Sequence, residues 1–339
     1  MRILHIADVH LGRKGRQEHI LEQLRKVVEI CREEAVDLLL IAGDLFDQDA
    51  VPESQKSLLR EVFRPLKERG VEVIAIAGNH DRGVGDIGEG VAFLERPERL
   101  RRGDVLLYLF PFDPGGSWKD ILQSLPLRRE ASHQILVCHA SYVSTRNPRV
   151  WQELSEEGAL FLPFTPVDLK DLPIDYLALG HYHNPMLWRE AGILCGYPGT
   201  IEPLSFKEEG PRKAFLILCE KDLRVEEIEL GCQCPHRTLR WRIGVDVREE
   251  DLPQRLREIC SERGLFRVIL SGFVRDEREL KLRVGGIPDK VKVEWHVQDM
   301  AKIEADPLLQ AFLKVFLEKR GGEDRLLSLG LSLLEGDVD

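Results

Sequence analysis

The sequence predicts an α/β fold, and two features of the residue pattern lead to that prediction. Short apolar runs typical of buried strands alternate with segments in which apolar residues recur every three or four positions, as in amphipathic helices. Several of the apolar runs end at an aspartate, an asparagine or a histidine, so polar side chains collect where strands finish. A length of 339 residues favours one large domain with a smaller one beside it.

The first part of the chain alternates predicted strands with predicted helices. The strands are Arg2–Ala7, Leu38–Ala42 and Glu72–Ala77. One helix ends at about Glu34, and a second begins near Pro52 and ends near Gly70. This alternation favours parallel neighbouring strands, and in such sheets the functional crevice lies beyond the carboxyl ends of the strands.

Five further strands complete a predicted large domain of residues 1–231, namely Val105–Phe110, Ile135–Cys138, Asp175–Leu179, Ala214–Cys219 and Leu223–Leu230. The turn-like stretch Gly231–Pro235 marks a boundary. Beyond it we expect a small α+β domain at 237–300, with strands at Thr238–Val247, Phe266–Val274, Leu280–Val284 and Val291–Val297 and a helix at Leu252–Arg263. A C-terminal helical segment, 304–339, opens with an amphipathic helix at Asp306–Lys319.

Composition and charge exclude some classes of protein. No apolar run approaches the roughly 20 residues that span a bilayer, and the N-terminus does not resemble a signal peptide, so we expect no membrane partner and a cytoplasmic location. Seven scattered cysteines fit reduced thiols. A net charge of −10 argues against nucleic-acid binding over the whole surface, although it leaves room for a local basic groove.

Seven oxygen- and nitrogen-bearing side chains follow the predicted strands and form a candidate metal site. They are Asp8, His10, Asp44, Asn79, His139, His181 and His183. A single Gly-Asp is usually a turn and a single histidine usually a core or surface residue, but five such signals each follow an apolar run. Carboxylate, amide and imidazole ligands without thiolate suit manganese, iron or zinc. Seven ligands are too many for one ion and fit two ions, roughly 3.5–4 Å apart, that share a carboxylate.

Two divalent ions in such a site would perform phosphoester chemistry. The pair generates a hydroxide nucleophile from water, clamps phosphate oxygens and offsets negative charge. The leaving oxygen then needs a proton, and we expect His80, which adjoins Asn79, to be the general acid. Asp47 is expected to orient His80 and to raise its pKa.

The motifs Asp8-x-His10, Gly43-Asp44-x-x-Asp47, Gly78-Asn79-His80-Asp81, His139 and Gly180-His181-x-His183 resemble the signature of the calcineurin-like metallophosphoesterases. This resemblance implies a four-layer αββα sandwich with two facing mixed sheets and a dimetal centre at the strand ends. It also implies the division of ligands: Asp8, His10 and His183 on one ion, Asn79, His139 and His181 on the other, and Asp44 on both. Manganese is the favoured ion, with iron and zinc as alternatives.

Three longer stretches are similar to the SbcD/Mre-type DNA repair exonucleases, namely Asp8–Gly12, Gly43–Asp47 and Tyr197–Glu208. That resemblance implies a nuclease of double-strand-break repair that acts as an exonuclease on double-stranded DNA, with endonuclease activity on single strands. It places a DNA-facing cap at 237–300 and a docking segment for an SbcC/Rad-type coiled-coil ATPase near 306–319. A homodimer through the apolar face of the first helix is a further hypothesis, although core packing explains that face equally well.

DNA contact is expected from basic residues next to the site. Arg13, Lys14 and Arg16 follow His10, and Arg146 and Arg149 follow His139. Their contacts with phosphate would be sensitive to salt and blind to sequence; a solvated basic loop explains each of them about as well.

The same residues leave one alternative to the nuclease open. The alternative is a dimetal phosphodiesterase for cyclic nucleotides or other small phosphodiesters. A protein phosphatase is disfavoured because Gln48-Asp49 stands where Arg-Gly is expected, and a non-catalytic scaffold is disfavoured because no ligand is missing.

Overall fold

A computed structural model describes residues 1–48, 50–124, 127–144, 162–208, 210–305, 307–308, 310–311 and 314 of the chain. It divides into two compact units. The first consists of Met1–Leu204 and Gly210–Gln233, and the second takes Ser205–Glu209 and the chain from Cys234 onward. The division after Gln233 falls inside the turn-like stretch that the sequence marks as a boundary. Inclusion of the short Ser205–Glu209 segment in the second unit was not predicted.

The first unit contains twelve of the described strands and three of the described helices. In chain order they are β1 (Arg2–Ile6), α1 (Gln17–Glu33), β2 (Leu38–Ala42), α2 (Glu53–Glu68), β3 (Glu72–Ile76), β4 (Ala92–Leu94), β5 (Glu98–Arg102), β6 (Val105–Phe110), α3 (Trp118–Ser124), β7 (His133–His139), β8 (Tyr176–Gly180), β9 (Met186–Glu190), β10 (Ile193–Tyr197), β11 (Arg212–Cys219) and β12 (Leu223–Gly231). All eight strands predicted for this region are confirmed, whereas β4, β5, α3, β9 and β10 were not predicted. No helix in the described part of the chain is both long and apolar enough to cross a membrane.

Two six-stranded mixed sheets organise this unit. The first sheet has the order β12-β11-β1-β2-β3-β4 and the second β5-β6-β7-β8-β10-β9. Strands β1 to β4 are parallel, as are β6, β7, β8 and β10. Antiparallel pairings lie at one side of the first sheet, through β11 and β12, and at both edges of the second sheet, through β5 and β9. The carboxyl ends of β1, β2 and β3 therefore lie side by side at the same end of the first sheet, and those of β7 and β8 lie side by side at one end of the second.

The two sheets pack face to face with helices outside them. Strand β2 shows how its sequence allows this, because successive side chains point to opposite faces. Leu38 and Leu40 lie in the core between the sheets, whereas Leu39 and Ile41 pack under α1 and α2. Helix α3 contributes to a third core on the outer face of the second sheet. Strands covered on both faces read as continuous apolar runs, and the arrangement confirms the predicted αββα sandwich.

The second unit has a small sheet of three parallel strands. The strands are β13 (His236–Ile243), β14 (Leu265–Val274) and β15 (Val291–Asp299), in that order across the sheet. Helices α4 (Leu252–Ile259) and α5 (Glu277–Val284) lie between them in the chain, and α6 (Met300–Ala305) follows β15.

The predicted strand at Leu280–Val284 is wrong, because these residues form the second half of α5. The side chain of Asp276 accepts a hydrogen bond of 2.9 Å from the backbone N–H of Glu279 and so caps the helix. Leu280 and Val284, one turn apart, are buried, whereas Leu282 between them is 81% exposed. The alternation of Leu, Lys, Leu, Arg and Val is typical of a strand, but only the first and last of these five residues are buried.

Most of the C-terminal segment predicted at 304–339 lies outside the described residues. The amphipathic helix expected at Asp306–Lys319 and its docking role therefore stay predictions.

Candidate metal centre

All seven predicted ligands lie at the carboxyl ends of central strands. Asp8 and His10 follow β1, Asp44 follows β2 and Asn79 follows β3; His139 ends β7, and His181 and His183 follow β8. The facing sheets bring these strand ends together, as the distances below show.

One group of ligand atoms is formed by Asp8, His10 and His183. Their candidate ligand atoms all lie within 4.8 Å of one another. The Nε2 atoms of His10 and His183 are 3.3 Å apart. His10 directs its other ring nitrogen, Nδ1, at the Asp47 carboxylate, 3.1 Å away. Donation of the Nδ1 proton to that carboxylate leaves Nε2 with a lone pair for a cation.

The second group lies around His139. Its Nε2 is 2.9 Å from Oδ1 of Asn79, and its ring centroid is 5.2 Å from that of His181. The Nδ1 proton of His139 is donated to the carbonyl of Ala42 at 3.0 Å, which again leaves Nε2 free to bind a cation.

Asp44 lies between the two groups. Its Oδ2 is 3.4 Å from Nε2 of His139 and 3.7 Å from Nε2 of His10, so one oxygen faces both. Its Oδ1 accepts a hydrogen bond of 2.9 Å from the backbone N–H of His80. This central position is the one that a shared carboxylate between two cations requires.

The backbone around the centre is strained. Four of the seven predicted ligands have a left-handed backbone, with φ of 52° at Asp8, 51° at His10, 49° at Asp44 and 99° at His181. Such a conformation costs a residue other than glycine about 1–3 kcal/mol. The loops hold one another in it, because the N–H of Asp8 donates to the Gly43 carbonyl at 3.1 Å and that of His10 to the Asp44 carbonyl at 2.9 Å.

Two glycines of the sequence motifs make room for the ligands. A Cβ on Gly78 would lie 2.1 Å from Oδ1 of Asp44, and one on Gly180 would lie 1.9 Å from the Ala42 carbonyl oxygen. Both distances are far below contact, so any side chain at these positions would displace Asp44 or the end of β2.

The electrostatics of the centre favour a cation. Burial raises the pKa of Asp8, and the charge of Asp44 adds to that rise. Burial also acts to raise the pKa of Asp44, but the charge and hydrogen bond of His139 outweigh it and lower that pKa below the usual range. Burial alone would lower the pKa of His139, but Asp44 and Asp8 raise it to about 9.

One buried oxygen of the centre lacks a hydrogen-bond partner within the described part of the chain. Oδ2 of Asp8 makes no hydrogen bond to any of the described residues. A buried carboxylate oxygen left unpaired costs free energy, and a bound cation would remove that cost. The donor set and this orphaned oxygen therefore fit a site for divalent cations.

Asp47 has a different partner from the one predicted. Its carboxylate contacts Nδ1 of His10 at 3.1 Å and the guanidinium of Arg13 at 3.3 Å, whereas His80 was expected. Asp47 still acts on His80 through its charge, which raises the pKa of that histidine. Burial outweighs this effect, and the pKa of His80 lies below its usual value.

His80 lies at the edge of the centre and is half-buried. Its ring centroid is 5.1 Å from that of His10, and its backbone N–H is anchored on Asp44. One of its ring nitrogens lies within 4.8 Å of ligand atoms of His10 and Asp44. The structure thus places the predicted general acid beside the centre; its role stays a prediction.

The fully buried Asp81 supports the centre, although no role was predicted for it. Its Oδ2 accepts from the N–H groups of Gly78 at 2.9 Å and Leu45 at 3.0 Å, and its Oδ1 from that of Phe46 at 2.8 Å. The carboxylate thereby ties the loop after β2 to the loop after β3. Its place beside Asn79 and His80 in the motif was the available signal.

The basic residues predicted to contact DNA are only partly described. Arg13 and Lys14 are exposed in the loop between β1 and α1, Arg16 is partly exposed, and Arg146 and Arg149 lie outside the described residues. The ion pair with Asp47 holds Arg13 beside the centre.

Comparison with known proteins agrees with this geometry. A family model described as calcineurin-like phosphoesterase matches residues 1–185. The DNA double-strand break repair protein Mre11 of Methanopyrus kandleri is 34% identical across 61% of this chain and 50% of its own length. The Mre11 protein of Aeropyrum pernix is 27% identical across 99% of this chain and 81% of its own length. A component of the nuclease SbcCD of Bacillus subtilis is 28% identical across 65% of this chain and 66% of its own length. The chain thus spans about half the length of the first of these relatives.

Proposed function

Because the chain belongs to the calcineurin-like phosphoesterase family, whose members use two divalent metal ions, we propose that it is a metal-dependent DNA nuclease. Its reaction is the hydrolysis of phosphodiester bonds at double-stranded DNA ends, with single-strand endonuclease action as a second activity. The observation that carries this proposal is the convergence of two ligand groups on the shared Asp44 carboxylate. The names of the relatives, which are repair proteins and a nuclease component, support DNA as the substrate.

The two ligand groups would hold one cation each. Asp8, His10 and His183 would bind the first, Asn79, His139 and His181 the second, and Asp44 both. Oxygen and imidazole ligands without thiolate favour manganese, with iron and zinc as alternatives. When bound, the pair would activate water and offset the charge of the phosphate.

His80 is proposed as the general acid for the leaving oxygen. The anchoring of its backbone on Asp44 fixes the ring beside the centre, and partial exposure lets it reach a bound substrate. Burial lowers the pKa of His80, which makes the imidazolium a stronger acid but also lowers the fraction of His80 that is protonated at neutral pH. Asp47 is proposed to hold His10 in the tautomer that presents Nε2.

The exposed loop residues Arg13 and Lys14, together with Arg16, are proposed to bind DNA phosphates next to the centre, as are Arg146 and Arg149. Binding should therefore weaken steeply with salt. An SbcC/Rad-type coiled-coil ATPase partner, a homodimer and a cytoplasmic location stay proposals. The first is supported by the name of the Bacillus subtilis relative, which marks it as one component of the nuclease SbcCD.

The test is Mn²⁺-dependent digestion of linear duplex DNA, with a cyclic nucleotide and a small phosphodiester assayed beside it. We expect the duplex to be degraded and His80→Ala to slow the reaction by about 10²–10⁴-fold while its Mn²⁺ content is unchanged. His19→Ala, which changes a histidine of α1, is the matched control. Turnover of the small diesters alone would contradict the nuclease and support the small-phosphodiester enzyme. No turnover of any substrate with Mn²⁺ bound would contradict a catalytic role.

A further inference from the structure

A fully buried arginine lies behind one of the proposed metal ligands. Arg212, the first residue of β11, is 0% exposed and among the largest fully buried side chains of the described chain. The pairing of β11 with β12 shifts register between Arg212 and Lys213, a local irregularity that re-aims a side chain. Removal of a guanidinium from water is costly unless its donors are satisfied, so its contacts indicate what it does.

The guanidinium of Arg212 contacts the backbone of His183, and its Nη2 also donates to the Gly210 carbonyl at 3.5 Å. Nη1 donates to the His183 carbonyl at 3.1 Å and also lies 3.4 Å from Oγ1 of Thr200. The same carbonyl accepts a second hydrogen bond of 3.1 Å from the N–H of Thr200. Gly199 passes so close that a Cβ on it would lie 2.3 Å from the His183 oxygen. The carbonyl is therefore held from two sides.

The segment that carries Thr200 is itself anchored. The side-chain amide of Gln23 donates to the carbonyls of Ile201 at 2.8 Å and Gly231 at 3.2 Å. The carboxylate of Glu202 accepts from the N–H of Gln233 at 2.8 Å. This segment belongs to the stretch 197–208, which the sequence marked as distinctive but the proposed chemistry does not use.

We propose that Arg212 is a positioning residue that fixes His183 for the cation shared with Asp8 and His10. The inference rests on the proposed function, because it presumes a cation in that group. Nε2 of His183 lies 3.3 Å from Nε2 of His10, so a small drift of the His183 backbone would spoil the pairing of the two nitrogens on one ion. Lysine cannot reproduce the planar fork of arginine, which reaches two acceptors at fixed angles.

The effect of Arg212 should be confined to one of the two cations. His139 is held independently through the Ala42 carbonyl, and the backbone N–H of His181 is held by Oδ1 of Asp8 at 2.9 Å. Neither contact involves Arg212. Loss of Arg212 should therefore weaken the ion bound by His183 and leave the affinity for the other ion unchanged.

The experiment measures Mn²⁺ binding to the full chain by calorimetry, with bound ions counted by electron paramagnetic resonance. The parent should bind two ions. Arg212→Met should keep one at the parent affinity and bind the other about 10–100-fold more weakly, the usual effect of losing a group that orients a ligand. The affinity of Arg212→Lys for the weakened ion should lie between those of the parent and Arg212→Met. The loss should not add to that of His183→Ala, because both changes act on the same ion.

Gln134→Met is the matched control, since it breaks a buried hydrogen-bond network at the start of β7 without touching His183 or the segment that carries Thr200. It should lower the thermal stability of the metal-free protein and weaken neither ion selectively. Thr200→Val keeps the backbone hydrogen bond to His183 but removes the hydroxyl beside Nη1. It should weaken the same ion to a smaller degree, and it provides the test if Arg212→Met does not fold.

The outcomes separate this inference from the proposed function. A parent that binds no pair of ions would overturn the metal centre and this role with it. A parent that binds two ions, with folded variants that bind both at the parent affinity or lose both equally, would overturn the positioning role alone.

Discussion

Two histidines of the sheet sandwich, His5 and His139, are equally shielded from water at 0% exposure but titrate in opposite directions. His5 lies inside β1 against the rings of Tyr176 and Phe215, and burial lowers its pKa to about 3. At the end of β7, burial would do the same to His139, but the charges of Asp44 and Asp8 raise its pKa to about 9. Burial is thus common to both positions, and the carboxylates at the strand ends make the difference.

The comparison explains why the strand ends suit a cation. The low dielectric between the sheets strengthens the electrostatic interactions between charges that are shielded from water. At His5 that environment holds a neutral side chain. At the strand ends it surrounds the two buried carboxylates of Asp8 and Asp44. Burial of these groups costs the least free energy when a positive charge lies beside them. In the absence of metal, His139 carries part of it.

Removal of Asp44 should have the largest effect on metal binding and activity, because its carboxylate faces both ligand groups and accounts for the raised pKa of His139. Asp44→Ala should abolish the pairing of two ions and lower phosphodiesterase activity by at least about 10²–10³-fold. In the metal-free variant the pKa of His139 should fall from about 9 towards that of His5, since burial then dominates. Activity assays, Mn²⁺ counting and NMR titration measure these effects.

Asp37→Ala is the control for Asp44→Ala. Asp37 precedes β2 at the opposite end of the same strand, where its carboxylate accepts from the N–H of Arg2 at 2.7 Å. Its removal should leave metal binding intact. A pKa of His139 that stayed near 9 without Asp44 would contradict the electrostatic explanation.

Removal of Asp47 should have an intermediate effect that is confined to one group of ligands. Asp47→Ala frees Nδ1 of His10 and should weaken the ion at Asp8, His10 and His183 by about 10–100-fold. Calorimetric titration with Mn²⁺ should show the second ion bound as before. In Arg13→Gln the carboxylate still holds His10, so both affinities should change by less than about tenfold, as befits an exposed ion pair. Equal effects of the two variants would place the role of Asp47 in the ion pair with Arg13 instead.

Much of this layout could be predicted from the sequence because it depends on local pattern. Strands covered on both faces must be apolar throughout, so β2 and β6 have the predicted bounds. Polar residues that end such strands must meet at one end of the sheet, and for this reason the pattern predicts that the seven candidate ligands lie together. The target of Asp47 was missed because its sequence neighbours do not show which histidine folds against it.

The missed elements have local causes. Strands β9 and β10 form a hairpin whose turn uses Ala191 and Gly192 with φ of 50° and 87°. Such turns usually have the sequence Asn-Gly or Asp-Gly, and alanine at the first position does not predict one. In α5 the overlooked sign was Asp276 followed three residues later by Glu279, the spacing of a capping box. The strand-like alternation prevailed over it in the prediction.

The replacement of His5 should have the smallest effect on metal binding and activity, and it tests the comparison through the pH dependence of folding. The pKa of His5 is about 3 in the folded protein and about 6.5 when unfolded, so between these values the unfolded chain binds the extra proton. Its contribution to stability is complete above pH 6.5 and is lost as the pH falls towards 3. At about 1.4 kcal/mol for each pKa unit, the loss reaches several kcal/mol.

His5→Gln should remove this slope while its amide can still bond the hydroxyl of Tyr176, which lies 3.0 Å from Nδ1 of His5. The free energy of unfolding, measured with urea in the presence of a chelator, should be lower than that of the parent at pH 7. The gap should narrow as the pH falls from about 6.5 to about 4. The difference between the two proteins cancels the contribution of the other titrating groups, so a gap that stayed constant with pH would show that His5 is not held neutral by burial.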